Sequence, residues 1–431
     1  INWNSKHWSE KPLNEMTDRD WRILKEDFEI NSKGNIVEKP LRSWSESKIN
    51  TEILKILKLL NYRDPTPIQR AAIPIAINRK DVLGIAETGS GKTLSYIIPL
   101  LTYLLTLPRV NYHTKNDGPY ALVLAPTREL AQQIEKECSK FCHRLRIKLT
   151  SVVGGYKLES NSFNLSNGVE VLIATPGRLL DCIDRKILVL NQCYYLIIDE
   201  ADRMIDLGFE SQVSKILEIL PKYQKRTSMM YTATMPPTIK KLVKNYLNNS
   251  NTIIIGNLDK AVDSVEQKVE FLNTEEQKNR RLISILNSNN YYPPIIIFVN
   301  YKKTCENLST IINEKSRFKS TIIHGSKNQD QRELAITNLK QGKFDILIAT
   351  DVAGRGIDIP DVSLVINYQM SRTIEDYIHR IGRTGRAGKL GTAITFLHNK
   401  DDNDVLYDLK NMVLKSSLSK CPDELRRHPA A

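Results

Sequence analysis

The chain has 431 residues, a formal charge of +13, and 41% hydrophobic against 26% charged residues, the mix of a soluble globular protein with material for two or three domains. No apolar run reaches the roughly 18 residues that span a bilayer, and the nearest, 96–107, is broken by Thr102 and Thr106. The start, Ile1-Asn2-Trp3-Asn4, has neither the basic and apolar leader of a secreted protein nor an initiator Met, so a fragment of a longer chain is expected; membrane, secreted and wholly disordered classes are excluded. The charge is uneven. Residues 41–264 carry 30 basic and 21 acidic side chains and residues 265–400 carry 20 and 14, whereas both ends are nearly neutral. An excess on the body of the chain fits a folded surface facing a polyanion, with a merely solubilising surface as the alternative.

Short runs that are apolar throughout suit strands covered on both faces of a parallel sheet, and they fall at 82–85, 121–125, 150–153, 169–174, 194–198 and 228–231. Amphipathic stretches at 129–145 and 210–220 predict helices between them. After a polar stretch at 256–264, which opens on Gly256, the alternation resumes with runs at 269–272, 295–299, 321–323, 346–349, 362–366 and 392–397 and a helix at 333–340. The fold class is therefore α/β, built twice: a lobe over 41–255, a linker over 256–264 and a lobe over 265–400, with short extensions at 1–40 and 401–431. The first extension carries a helix capped by Thr17 or Asp18, and an amphipathic patch at 405–414 is expected to pack on the second lobe. Cysteines 138, 142, 182, 193, 305 and 421 include no CxxC pair; Cys138 and Cys142 beside His143 cannot complete a tetrahedral zinc site, and all six read as core cysteines in a reducing compartment.

The strongest local signal is Ala86-Glu87-Thr88-Gly89-Ser90-Gly91-Lys92-Thr93, between the run at 82–85 and an apolar helix. Glycines there free backbone N–H groups to cradle phosphates at a helix N-terminus. Lys92 would reach the β- and γ-phosphates, and the Thr93 hydroxyl would ligate Mg²⁺. Ala86 stands where the strict P-loop has Gly, and a bare glycine-rich turn is the alternative reading. Downstream, Asp199-Glu200-Ala201-Asp202 follows the run at 194–198. Acids at a strand end, paired with a P-loop, suit Asp199 holding the metal partly through water and Glu200 orienting or deprotonating an attacking water. Alone they would read as a solvated helix start.

Asp-Glu-Ala-Asp after AETGSGKT resembles the DEAD-box family of RNA-dependent ATPases, in superfamily 2 of the helicases, and the resemblance extends over residues 41 to about 400. It implies two RecA-like lobes, ATP and Mg²⁺ as cofactors, and RNA as partner. Asn61-Tyr62-Arg63-Asp64-Pro65-Thr66-Pro67-Ile68-Gln69 is similar to the family's Q motif, so Gln69 is expected to read the adenine edge, with Tyr62 and the isolated aromatic Trp44 nearby. Asn61 replaces the usual Gly. Pro126-Thr127-Arg128-Glu129-Leu130-Ala131, Gly154-Gly155 and Thr175-Pro176-Gly177-Arg178 resemble the family's RNA-backbone contacts, which implies Arg128, Gly154, Gly155, Thr175 and Arg178 as RNA-binding residues. Thr232-Ala233-Thr234 resembles the hydroxyl motif that couples the two sites, with Thr first where many relatives have Ser.

The second lobe has no P-loop and so cannot be a second independent ATPase. His379-Arg380-Ile381-Gly382-Arg383-Thr384-Gly385-Arg386 resembles the family's last motif, which implies Arg383 and Arg386 as arginine fingers on the γ-phosphate and His379 as a coupling residue. Within residues 349–358, the resemblance implies that Asp351 couples RNA to ATP, Asp358 approaches the ribose, and Thr350 and Arg355 approach RNA; Gly354 stands where Ala is frequent. Phe298-Val299-Asn300 and the His324-Gly325…Gln329…Arg332 pattern complete the set, with Arg332 on RNA.

The resemblance also implies an ATP site divided between lobes, closed by ATP and RNA together, and RNA gripped by its backbone and not by its sequence. Local strand separation or removal of bound protein is expected, without processive translocation. His7-Trp8-Ser9 and Leu13 to Ile23 are similar to the segment before the core in the family's pre-mRNA splicing branch. That implies a nuclear monomer, with cytoplasm as the other location, no membrane contact, spliceosomal ribonucleoprotein components as partners and action at the 5′ splice site. An ATP-switched RNA clamp, a helicase of another RNA pathway and a catalytically inactive scaffold stay in view; intact Lys92, Glu200, Arg383 and Arg386 weigh against the last.

Overall fold

VLGI, ALVL, VLIA and YLII leave no polar side chain to face water, and the strands they form are buried at every position. They belong to a computed structural model that describes all residues except 88–90, 156, 250, 257–262, 352–356, 358, 387–388 and the side chain of residue 329. Residues Phe28–Gly256 form one unit; the other joins Ile1–Asp27, which contains helix α1 (Asp18–Asp27), to Asn257–Ala431. The stretch 1–40, expected as a single extension, is thus divided between the two.

The first unit holds β1 (Ile30–Lys33), β2 (Val82–Ile85), β3 (Ala121–Leu124), β4 (Leu149–Val152), β5 (Val171–Ala174), β6 (Tyr195–Ile198), β7 (Thr227–Thr232) and β8 (Asn251–Ile255). They make one sheet in the order β1-β8-β2-β7-β6-β3-β5-β4, parallel except where β1 runs against β8. Alternate residues feed two cores: Val82, Val123, Ile173 and Ile197 enter one, and Leu83, Leu122, Leu172 and Leu196 the other. Helices α2 (Thr51–Leu59), α3 (Pro67–Ile77), α4 (Lys92–Leu104) and α5 (Arg128–Leu145) cover the first face. Helices α6 (Leu158–Ser166), α7 (Pro176–Asp184), α8 (Ala201–Asp206), α9 (Glu210–Ile219) and α10 (Pro237–Tyr246) supply the other. Two strands escaped the sequence reading. β1 has one apolar residue in four, and β8 holds its apolar run just before the polar stretch taken for a linker.

The second unit repeats the plan with β9 (Val265–Phe271), β10 (Ile295–Val299), β11 (Ser320–Ile323), β12 (Ile346–Thr350), β13 (Leu364–Asn367) and β14 (Gly391–Leu397), ordered β11-β12-β10-β13-β14-β9 and parallel throughout. Helices α11 (Glu275–Leu286) and α12 (Lys302–Lys315) pack on one face, and α13 (Gln329–Lys340), α14 (Ile374–Ile381) and α15 (Asn403–Lys415) on the other. β9 starts at Val265, four residues before the run at 269–272 and directly after the stretch expected as a linker. Helix α13 begins earlier than 333 because Asn328 and Gln331 cap it reciprocally, at 2.8 and 3.0 Å. The C-terminal patch packs as expected: Val405, Leu406, Leu409, Met412 and Val413 of α15 lie in the core with Leu425 of α16 (Asp423–Arg426).

Five cysteines are buried and Cys421 is partly so; all six are free thiols. Among the described residues no His, Cys, Asp and Glu group suits a metal by itself, and no helix is long and apolar enough to cross a membrane.

Candidate functional site

In a parallel sheet every strand ends on the same edge, so the loops that follow the strands meet there. Sheet order sorts them. β2, β7 and β6 are neighbours and lead into the glycine loop, Thr232-Ala233-Thr234 and Asp199-Glu200; β3, β5 and β4 are neighbours and lead into Arg128, Thr175-Arg178 and Gly154-Gly155. The residues expected at phosphates and those expected at RNA thus occupy two halves of one edge.

On the first half, Gly91 is the N-cap of α4 with φ +81°, and a Cβ there would stand 2.7 Å from both Thr66 Oγ1 and Cγ2. Only glycine fits that backbone and that space. Thr88, Gly89 and Ser90 lie outside the described residues; Ala86 is buried and Glu87 exposed. The Ala86 N–H donates to Thr232 O at 3.1 Å, which ties the loop's start to the hydroxyl motif. Lys92 is 7% exposed, and its Nζ lies 2.8 Å from Asp199 Oδ1 and 3.7 Å from Glu200 Oε1. Asp199 is fully buried, and its other oxygen accepts from the Tyr96 hydroxyl at 2.8 Å. Burial and the nearby Asp199 charge push the Tyr96 phenol well above its ordinary value, so it stays a donor. A buried carboxylate with a lysine cation beside it, a neighbouring acid, a partly exposed Thr93 and a loop closed to any Cβ form a hard-oxygen and ammonium set that fits a magnesium-bound triphosphate. Glu200 has φ +49° at the start of α8, a strained position for a non-glycine residue that aims it off the strand end.

The Q-motif residues are placed differently from one another. Gln69 is buried and already engaged: its Oε1 accepts from Thr66 N at 2.9 Å and its Nε2 donates to Gly91 O at 3.0 Å. It therefore clamps the phosphate loop to α3, with one donor and one lone pair to spare for a base. The Tyr62 hydroxyl donates to Glu137 on α5, and burial followed by that contact pushes its pKa up to about 12. Trp44 does not present its ring to an open site; it is 8% exposed, lies in the core, and its Nε1 has no partner among the described residues.

On the second half, the Arg128 guanidinium lies against Gly155, whose φ of +89° and lack of a side chain leave it room. Thr127 caps α5 through Leu130 N at 3.2 Å. Gly154 faces open space, Thr175 is the N-cap of α7, and Arg178 is partly exposed in its first turn. Within the first half, the loops after β6 and β7 are tied together by a residue the motif reading gave no role. Asp202 accepts from Thr234 N at 3.1 Å and Thr234 Oγ1 at 2.9 Å, while Thr232 Oγ1 donates to Thr234 O at 2.7 Å.

In the second unit the dominant feature is Arg380, which is 2% exposed. It grips Asp351 with Nε and Nη2 at 2.5 and 2.7 Å, and reaches Asn300 Oδ1 at 2.7 Å, Gln369 O at 2.6 Å and Asn367 Oδ1 at 3.3 Å. Asp351 is therefore held by Arg380. Arg383 is also buried, with Nη1 on Ile357 O at 2.8 Å, Nε on His379 O at 3.0 Å and Nη2 on Glu26 of α1. Arg386 is exposed. His379 lines a small cavity with Glu26, Asp351, Arg380 and Arg383. Thr350 ends β12 at 8% exposure, and Arg332 sits in α13 with Nη2 3.5 Å from Gly325 O. Arg355 and Asp358 lie outside the described residues. Arg380 belongs to a quoted motif, but its partners come from positions spread over seventy residues, so only the fold reveals the hub.

Residues 66–242 match the DEAD/DEAH box helicase family and residues 277–388 match the helicase conserved C-terminal domain. The pre-mRNA-splicing ATP-dependent RNA helicase prp28 of Sclerotinia sclerotiorum is 53% identical over 449 residues, covering 99% of this chain and 55% of that protein. The chain thus spans about half the length of the curated relatives it matches. A crystal structure of the RNA helicase Prp28 from Chaetomium thermophilum, bound to ADP, is 53% identical with a TM-score of 0.62, covering 98% of this chain and 100% of that one. The yeast DEAD-box splicing factor Prp28 is 43% identical with a TM-score of 0.56, covering 99% of this chain and 94% of that one.

Proposed function

The chain belongs to the DEAD/DEAH box helicases, and on that premise we propose that it is an RNA-dependent ATPase that remodels short RNA duplexes or RNA–protein complexes in pre-mRNA splicing, at the 5′ splice site. The observation that carries this reading is the order of strands in the first sheet, which brings the loops carrying the residues we assign to phosphate and to RNA onto one edge. Thr93 and Asp199 would hold Mg²⁺, partly through water, and Gln69 with Tyr62 would meet the adenine. Bound magnesium–ATP supplies the phosphoanhydride to be cleaved and a divalent charge that offsets its oxygens. Lys92, released from Asp199, binds the β- and γ-phosphates, and Glu200 orients the water and takes its proton. Arg383 and Arg386 answer the γ-phosphate charge. Arg128, Gly154, Gly155, Thr175 and Arg178 of the first unit, and Arg332, Thr350 and Arg355 of the second, hold the RNA backbone, with no sequence readout. Spliceosomal ribonucleoprotein components choose the RNA target, the chain acts as a monomer, and the location is the nucleus.

The test is displacement of a short RNA duplex with and without ATP, by this chain and by a Glu200→Gln variant. Displacement that needs ATP and is lost in the variant is the expected result. ATP-dependent retention of RNA without displacement would support a clamp in its place.

A further inference from the structure

Helix α1 lies on the surface of the second unit that carries its two assigned functions. Thr17 and Asp20 fix the helix start, with Thr17 N on Asp20 Oδ2 at 2.9 Å and Asp20 N on Thr17 Oγ1 at 3.2 Å. Lys11 anchors the preceding segment to the same carboxylate through a buried ion pair of 2.7 Å, and Trp8 Nε1 donates to Asp27 at 2.7 Å. The segment is therefore a folded piece. Residues 19 and 26 are two helical turns apart and share a face. Glu26 ends one side of that face in a buried ion pair with Arg383. Arg19, at the other end, has its guanidinium pKa lowered to about 10 by burial and then by the charge of Arg332. One helix face thus meets both the arginine assigned to the γ-phosphate and an arginine assigned to RNA.

A guanidinium binds carboxylate and phosphate through the same planar fork, so the two are alternative partners. Nε and Nη1 of Arg383 are spent on backbone carbonyls of its own unit, which leaves the edge that Glu26 takes. We propose that α1 is an autoinhibitory latch, in which Glu26 occupies Arg383 in place of the γ-phosphate and must let go before Arg383 can support hydrolysis. The idea rests on the finger assignment of Arg383. RNA is the natural release signal, because the proposed activity is RNA-dependent and the latch has to open before hydrolysis.

The experiment measures ATP turnover of the 431-residue chain, Glu26→Gln and Arg383→Ala, without RNA and over a titration of single-stranded polyuridine. The latch predicts that Glu26→Gln raises RNA-free turnover about threefold or more and lowers the RNA needed for half-maximal stimulation, because one charge-assisted hydrogen bond is removed. Unchanged or reduced turnover in Glu26→Gln, with Arg383→Ala inactive, overturns the latch and leaves the finger standing. Full turnover in Arg383→Ala overturns the finger itself. Hydrogen exchange on the unsubstituted chain guards against a variant that misfolds. Residues 18–27 should lose protection when polyuridine and a non-hydrolysable ATP analogue bind together, and unchanged protection there contradicts the proposal.

Discussion

Arg380 shows how much one side chain can organise. Its guanidinium joins the ends of β10, β12 and β13 through Asn300, Asp351, Asn367 and Gln369, away from water. Breaking one side of such a buried network leaves uncompensated charge on Asp351. Arg380→Met, which removes the charge together with the fork, should cost about 3–5 kcal/mol of second-unit stability. Thermal unfolding measures this; a melting temperature within a degree or so of the parent would mean the hub is dispensable. Asp81 makes a second test at this scale. It is 3% exposed, and burial lifts its pKa to about 6 from 3.8, against the pull of backbone N–H groups of Ser228 and Asn248 at 2.8 and 2.6 Å. Between those two values the folded chain keeps a proton that the unfolded chain has released. The contribution of Asp81 is therefore present below pH 4 and is lost as pH rises through 6. Asp81→Asn does not titrate, so its stability relative to the parent should rise by about 1–3 kcal/mol between pH 4 and pH 7. A difference that stays flat with pH would contradict the assignment.

At the scale of elements, the phosphate loop depends on a joint between β2, α3 and α4. Gly91 must take φ +81° against Thr66, and Gln69 ties its carbonyl down. Gly91→Ala puts a methyl on a left-handed residue and into Thr66. ATP affinity measured by a fluorescent analogue should fall about fivefold or more, since about 1–3 kcal/mol of strain is added to the bound loop; retained affinity would show that the loop has slack. Much of this scale was legible in the sequence. The unbroken apolar runs at 82–85, 195–198 and 346–349 could only be strands buried on both faces, and the motifs sat at their ends. β1 was not legible, because an antiparallel edge strand wet on one side needs only Ile30 in the core. Neither was the burial of Trp44, whose aromatic ring serves a core or a ligand equally well by pattern. The hydrogen bonds of Asp202 to Thr234 depend on β6 and β7 lying side by side, which spacing along the chain does not reveal.

For the whole molecule, the resemblance foresaw two α/β lobes, and the structure supplies them as a first unit with the phosphate loop and acids and a second with the arginines. Each unit contributes cations to both assignments: Lys92, Arg383 and Arg386 to nucleotide, and Arg128, Arg178, Arg332 and Arg355 to RNA. The sequence placed residues 1–40 outside both lobes as a single piece. The first 27 of them instead join the second unit, because the ion pair of Glu26 with Arg383 links positions too distant for any local pattern to connect. With the proposed catalytic groups divided in this way, ATP hydrolysis should be slow until RNA draws on both units. The most direct measurement is steady-state ATP turnover of the 431-residue chain with and without single-stranded RNA, repeated with Glu200→Gln. Turnover should rise at least about tenfold with RNA and vanish in the variant, as expected for loss of the group that handles the attacking water. Equal turnover with and without RNA, or an active Glu200→Gln, would contradict the account.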